Sequence, residues 1–264
     1  MSGRVLSPIV LAVVSTLFQG GCDALSAVGR DTIDPNSVLS GRSAGVERPI
    51  GGAVVEPSDL AFDPETGTFW TVSDENGTLY RIAPDGAVSG KPLDIGGKDL
   101  EGVALDPKTG HLFVADEATA ELIEVTRTGE VLKRIQVDVR IGSFGIEGIA
   151  YDAAKDGFVL AMERPAELVF VNRQGDITSR AAVETQSIGA VAAVPDGETF
   201  LLAARFEEAI LEVSRTGKLL NRLSVNYPGI EGLALDDRGR LFAVADLGNK
   251  ARGMLYVFVR GNNQ

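Results

Sequence analysis

The sequence predicts an all-β fold: a β-propeller of about five four-stranded blades, with its ring closed by an N-terminal strand. The first observation behind this is a short pattern that recurs at nearly constant spacing. It appears as SDLAFD (58–63), EGVALD (101–106), EGIAYD (147–152), GAVAAV (189–194) and EGLALD (231–236), with final residues 43, 46, 42 and 42 apart. A fixed period of that length marks stacked or radially repeated units. The second is that each copy continues through a turn, a β-rich run, a second turn, an alternating run and a third turn containing Gly, with no helical stretch long enough for a βαβ crossover. The third is that the last copy ends after its third strand, Met254 to Val259, so one strand must come from elsewhere. A two-sheet sandwich is the rival architecture, and the fixed period counts against it. Six blades is the alternative if residues 127–143 or 46–57 hide a degenerate unit.

The elements follow in chain order. Residues 1–21 read as a signal peptide: Arg4, an apolar run from Ile9 to Phe18, then Gly20-Gly21 before Cys22. The run is too short to span a bilayer, which takes roughly 18 or more apolar residues. Cys22 is the one cysteine of the chain and has no partner for an internal disulfide. Gly-Gly-Cys resembles the lipobox of bacterial lipoproteins, with Gln19 standing where that pattern prefers Leu. The resemblance implies an acylated Cys22 as the mature N-terminus, the lipid bilayer as a partner, and an exported protein anchored at the periplasmic face of the cell envelope. Asp23 resembles the signal that retains some lipoproteins in the inner membrane. Residues 22–45, polar and without periodicity, read as a flexible tether, and residues 46–264 as the propeller.

Residues 46–55, VERPIGGAVV, precede the first copy and are the candidate for the missing strand, which would leave no open blade edge. In the first copy, Asp63 to Gly67 makes a turn, Phe69 to Ser73 a strand, and Asn76-Gly77 a predicted type I′ turn into Leu79–Ile82. Pro84-Asp85-Gly86 closes the third strand, where later copies place Thr128-Gly129, Gln174-Gly175 and Thr216-Gly217. The aromatics Phe69, Trp70, Phe113, Phe158, Phe200 and Phe242 recur at the start of second strands and are predicted to pack between blades.

Charge bounds the partners. With a net charge of −12 and 44% hydrophobic residues, the chain is globular and lacks the basic footprint that nucleic acid requires. Anionic head groups are repelled as well, so membrane residence needs the covalent anchor. Divalent cations are the natural counter-ions. One histidine, His111, excludes a His-based triad and multi-histidine metal centres.

In a propeller, equivalent repeat positions form rings around the axis. Glu101, Glu147 and Glu231 share one position, with Ser58 and Gly189 in the other two copies. Three carboxylates near an axis repel, so unless water solvates them fully they need a cation or raised pKa values. An oxygen-rich set suits Ca²⁺ or Mg²⁺, which makes these three the predicted metal ligands. No organic cofactor is expected. A second ring follows the second strands: Asp74-Glu75, Asp116-Glu117, Met162-Glu163, Ala204-Arg205 and Asp246-Leu247. Asp74, Glu75, Glu117, Glu163 and Arg205 are the ligand-binding candidates there. The competing account of both rings is scaffold, since such residues cap turns at strand ends. The closing Asp63, Asp106, Asp152 and Asp236 read as turn formers.

The segments SDLAFDPETGTFWTVSDENGTLYRI, DLEGVALDPKTGHLFVADEATAELIEV and GIEGIAYD resemble the SdiA-regulated, YjiK-like family of bacterial envelope propellers, of NHL type. The resemblance covers residues 46–260 and implies a propeller in which bound calcium has been thought possible. A weaker likeness is to gluconolactonase-type lactonases, whose inner strand opens Glu-Gly-Pro with a metal-binding glutamate. Here Glu101, Glu147 and Glu231 precede Gly without the Pro. Phytase-like propellers, with several Ca²⁺ ions and phosphate-ester substrates, are a third comparison. Few Lys or Arg stand in the rings to bind phosphate. Two functions are therefore expected: a membrane-tethered propeller binding a small ligand or envelope protein at its channel mouth, with Ca²⁺ as a candidate ion, or a metal-dependent hydrolase with Asp116 or Asp246 as general base.

Overall fold

The computed structural model describes residues 37–52, 54–139, 144–227, 229–248 and 253–260; the expected signal peptide, Cys22 and most of the expected tether fall outside them. Every sheet is four-stranded and antiparallel, and the first four are meanders of consecutive strands. The first blade is β2 (Pro57–Asp63), β3 (Thr68–Ser73), β4 (Thr78–Ile82) and β5 (Leu93–Asp94). The second is β6 (Leu100–Leu105), β7 (Leu112–Asp116), β8 (Glu121–Val125) and β9 (Val131–Gln136). The third is β10 (Ile146–Asp152), β11 (Gly157–Met162), β12 (Glu167–Asn172) and β13 (Ile177–Ala182). The fourth is β14 (Ala190–Ala193), β15 (Thr199–Ala204), β16 (Ala209–Ser214) and β17 (Leu219–Ser224). The fifth is β18 (Ile230–Leu235), β19 (Leu241–Ala245) and β20 (Met254–Arg260), completed by β1 (Arg42–Pro49).

The ring is therefore five-bladed among the described residues. The innermost strands touch in the order β2, β6, β10, β14, β18 and back to β2, so the repeats surround one axis and neither the sandwich nor a sixth blade applies. The ring is closed by hydrogen bonding between the two ends of the domain, because β1 pairs antiparallel with β20 from Arg42↔Arg260 to Pro49↔Met254. The closing strand begins earlier than residue 46. Residues 37–45, read as the end of the tether, lie against the ring instead, with Ser37 and Leu39 buried.

Packing follows the repeat. Apolar clusters sit between neighbouring blades, one for each junction of the ring. Phe69, Trp70, Phe113, Phe158, Phe200 and Phe242 are buried in them, as their recurrence predicted. Phe113 meets Phe158 with ring centroids 4.3 Å apart, and Phe69 meets Phe242 at 4.5 Å. One local expectation changes. The β3–β4 connection is not a two-residue type I′ turn but a longer loop, in which Gly77 alone has positive φ (62°) and donates its N–H to Ser73. Asn76 Oδ1 accepts the N–H of Thr78, and the extra residues carry Asp74 and Glu75 beyond the sheet.

The closing aspartates do more than turn the chain. Asp63, Asp106, Asp152 and Asp236 each accept a main-chain N–H two residues on, the turn role predicted. Three of them also grip an arginine of the next blade: Asp63 with Arg127, Asp106 with Arg173, Asp152 with Arg215. Each arginine lies in the third turn of its own blade, so every such pair ties one blade's first turn to its neighbour.

Candidate functional site

The mouth is built at the entry of the inner strands, and its side chains are aimed by bulges. Between Leu100 and Gly102, Ile146 and Gly148, and Ile230 and Gly232, the ladder register slips by one residue. The residue left over is Glu101, Glu147 or Glu231 in turn. A bulged residue leaves the ladder and its side chain is re-aimed, here into the channel mouth. The glycine that follows lets neighbouring inner strands meet closely. A Cβ on Gly148 would stand 3.1 Å from Val191 N, and one on Gly232 only 2.5 Å from the carbonyl carbon of Asp59.

The first blade departs from Glu-Gly with Ser58-Asp59, and that departure fills the hub. Asp59 is fully buried and adopts positive φ (58°), a region that Asp tolerates better than most residues. Its Oδ2 accepts the N–H of Val103 (3.1 Å) and of Ile149 (3.0 Å), while Oδ1 accepts that of Leu60. Burial pushes its pKa well up, against hydrogen bonds from Ile149, Leu60, Val103 and Leu233 that favour the ionised form. One carboxylate thus holds main-chain groups from four blades. Sequence reasoning missed it, although the broken Glu-Gly pattern at 58–59 was the visible signal.

The fourth blade lacks the glutamate and supplies the opposite charge. Gly189 leaves room for Arg205, because a Cβ there would lie 3.0 Å from Arg205 Nε. Arg205 donates to Glu147 Oε2 (2.8 Å) and to Glu231 Oε2, and its other terminal nitrogen lies 4.0 Å from Glu163. Glu163 accepts the hydroxyl of Ser187. Burial pushes Glu147 up to about 8; Arg205 opposes this, and Glu163, Glu117 and Glu231 add to it. Glu231 rises to about 7, again mainly by burial. Arg205 stays cationic, since the glutamates outweigh its own burial.

The predicted metal triad is thereby divided. Glu147 and Glu231 are committed to Arg205, and Glu101 turns to other partners. Among the described residues, the carboxylate oxygens that lie within 4.8 Å of one another belong to Asp99, Glu101 and Glu117. Burial raises all three; Asp116 adds to the shift of Asp99, and Glu147, Asp74 and Asp99 to that of Glu101. Glu117 also accepts the N–H of Gly145 at 2.6 Å. Asp99, just ahead of its repeat copy, was not singled out from the sequence because it falls outside the aligned positions.

The second ring returns to the same mouth as the first. Asp74 is pushed up to about 7 by burial, by its contact with Glu56, and by Asp99 and Asp246; Glu75 follows it on an exposed turn. Asp116 is buried, with Oδ2 accepting Lys98 N–H at 2.9 Å and Oδ1 without a hydrogen-bond partner. Asp246 accepts the N–H of Gly248, a turn role. At the rim, Phe144 and Phe206 are 43% and 56% exposed. The Arg164 guanidinium lies between them, 4.8 and 5.0 Å from the ring centroids. Cys22 lies outside the described residues.

Solved structures share the fold. A streptogramin B lyase superposes with a TM-score of 0.53 at 8% identity, covering 83% of this chain and 98% of that one. A protein of unknown function from Bacteroides caccae gives 0.53 at 14% identity, over 72% and 70%. Hydrazine synthase of Kuenenia stuttgartiensis gives 0.50 at 12% identity, over 74% of this chain and 58% of that one. At such identities the likeness is one of fold alone. No curated protein matches the sequence. The profile of the family described as SdiA-regulated matches residues 37–248, nearly the whole of the ring built above, and the chain belongs to that SdiA-regulated family.

Proposed function

We propose that this chain is a membrane-tethered binding module of the bacterial cell envelope. Its channel mouth holds a divalent cation, Ca²⁺ by preference, between Asp99, Glu101 and Glu117, and receives a small ligand or an envelope protein over the rim of Phe144 and Phe206. The observation that carries this reading is the convergence of those three carboxylates within 4.8 Å in a place where burial already disfavours their charge. An all-oxygen set suits a hard cation, which takes oxygen ligands at about 2.3–2.6 Å. Asp116, with an unpartnered buried oxygen, stands near enough to Asp99 to raise its pKa. The cation would supply the positive charge that this side of the mouth lacks. The tether rests on Gly20-Gly21-Cys22.

The hydrolase reading has less support, because Arg205 occupies Glu147 and Glu231, two of its metal ligands. Asp246, one of its candidate bases, is engaged in a turn.

Thermal unfolding of protein stripped with EDTA tests the cation. A ligand held only by the folded state, at a hundredfold excess over Kd, adds about 2.7 kcal/mol, or roughly 5–10 °C in Tm for a domain of this size. Ca²⁺ is expected to give that shift, Glu101→Gln to abolish it, and Glu231→Gln to retain it. An unchanged Tm at millimolar Ca²⁺ would sink the reading. For the tether, detergent phase partitioning is expected to move a Cys22→Ser protein into the aqueous phase.

A further inference from the structure

On the face opposite the acidic mouth the channel opens as an apolar funnel with a cavity of about 370 Å³. That volume falls within the 300–1,000 Å³ typical of small-molecule sites. We propose that this funnel binds a small uncharged apolar molecule, at a site separate from the mouth.

The funnel is a product of the repeat. Each inner strand places one residue at the same register in its wall: Phe62, Leu105, Tyr151, Ala193 and Leu235. All five are only partly buried, so apolar surface is left facing solvent inside a concavity, where a ligand would gain by covering it. The wall is uneven. Four blades supply Phe, Leu or Tyr and the fourth supplies Ala193, so the space lost at that position is space the cavity keeps. At the inner end the wall reaches Val103 and Ile149, whose N–H groups are held by Asp59. The hub carboxylate therefore stands between the funnel and the acidic mouth.

Charge selects the class of ligand. The charged residues among those lining the funnel are Asp236 and Asp237. Asp236 is engaged by Arg240 and by turn N–H groups, whereas Asp237 is exposed at the rim. The nearby Arg127, Arg173 and Arg215 are held by the closing aspartates. An anionic amphiphile would meet the Asp237 carboxylate at the entrance with no lining cation to receive it, whereas a neutral body would incur no such repulsion.

The test uses the full chain carrying Cys22→Ser, so that no detergent micelle competes for the probe. N-Phenyl-1-naphthylamine, which is uncharged, is titrated and its fluorescence followed. Saturable binding at one site per chain is expected. Ala193→Phe, which gives the fourth blade a side chain of the size found at Phe62, should weaken it at least tenfold with the far-ultraviolet spectrum and Tm retained. If that variant folds poorly, Ala193→Leu repeats the residue of the second and fifth blades and should weaken binding in the same direction. The sulfonated analogue 8-anilinonaphthalene-1-sulfonate should bind at least tenfold more weakly than the neutral probe. Absence of saturable binding, equal affinity in a folded Ala193 variant, or equal affinity for the sulfonate would each overturn the proposal. Because the site is remote from Asp99, Glu101 and Glu117, a missing Ca²⁺ response would leave this result unaffected.

Discussion

Arg205 is one positive charge shared among Glu147, Glu163 and Glu231, and a single guanidinium does not neutralise three carboxylates of which two are buried and the third partly so. The consequence is a pH dependence with a definite sign. Glu147 at about 8, Glu231 at about 7 and Asp74 at about 7 all lie above the values these groups have in an unfolded chain, about 4. The folded protein therefore binds more protons than the unfolded one through that interval, and its stability falls as pH rises. Calorimetry in EDTA is expected to show Tm declining from about pH 5 to about pH 8, with a shallower decline in Glu147→Gln; a Tm that climbs over that range would contradict the assignment. Asp59 gives a second residue-level prediction. Asp59→Ala removes the acceptor of buried N–H groups at Val103 and Ile149, each worth about 1–3 kcal/mol when left unpaired. Asp59→Asn keeps an acceptor oxygen and tolerates the positive φ, so it should destabilise the domain less in urea unfolding. The broken Glu-Gly pattern at Ser58-Asp59 was visible in the sequence, but no linear pattern says that one carboxylate collects N–H groups from other blades.

At the level of the element, the repeat was legible because it is periodic, and the bulges were not because they leave the period intact. The Glu-Gly positions announced a ring of carboxylates. What they concealed was the register slip that aims each glutamate and the loss of that slip in the fourth blade, where Gly189 admits Arg205. Charge complementarity inside the ring thus overrode the predicted triad and left Glu101 to Asp99 and Glu117. The aspartate–arginine ties between blades were equally readable in principle, since Arg127, Arg173 and Arg215 recur before Thr-Gly or Gln-Gly at the period of the repeat. Reading each closing aspartate only against its own turn hid the partner. Arg173 also binds Asp156, and burial of Asp106 is outweighed by hydrogen bonds from Arg173, Thr109 and Lys108 N–H that hold its pKa at about 2. Arg173→Ala strands the buried Asp106 carboxylate and should cost roughly 3 kcal/mol, the low end for a broken buried pair because the arginine is a quarter exposed. The sign is opposite to that of the mouth. This depressed pKa gives stability that is present above about pH 4 and lost as pH falls towards 2, so the variant's deficit in chemical unfolding should narrow in acid. A deficit that grows in acid would rule out this pair as its cause.

For the whole molecule, stability depends on a closure that joins the two ends of the described chain. The fifth blade is three strands from the C-terminal end and one, Arg42–Pro49, from the N-terminal end, so the last blade cannot complete itself without the first residues of the domain. Ahead of that strand, Ser37 donates to Glu212 and receives Asn221 Nδ2 in the fourth blade. Arg42 donates to the carbonyls of Val38, Phe258 and Gly239. The Gly- and Ser-rich composition of residues 37–45 made this segment read as tether, because its hydrogen bonds go to distant blades and leave no periodicity of their own. Removing residues up to 36 severs none of these contacts and should leave Tm within about 2 °C, which corresponds to no more than about 1 kcal/mol in a domain of 150–250 residues. Removing residues up to Pro49 strips β1 from β20, exposing a seven-residue strand whose main-chain donors and acceptors then face solvent as a pairing edge. That truncation should unfold or self-associate, giving oligomers in size-exclusion chromatography. If it stays monomeric with the melting temperature of the longer chain, the ring is held by its inner strands alone and the N-terminal strand is dispensable.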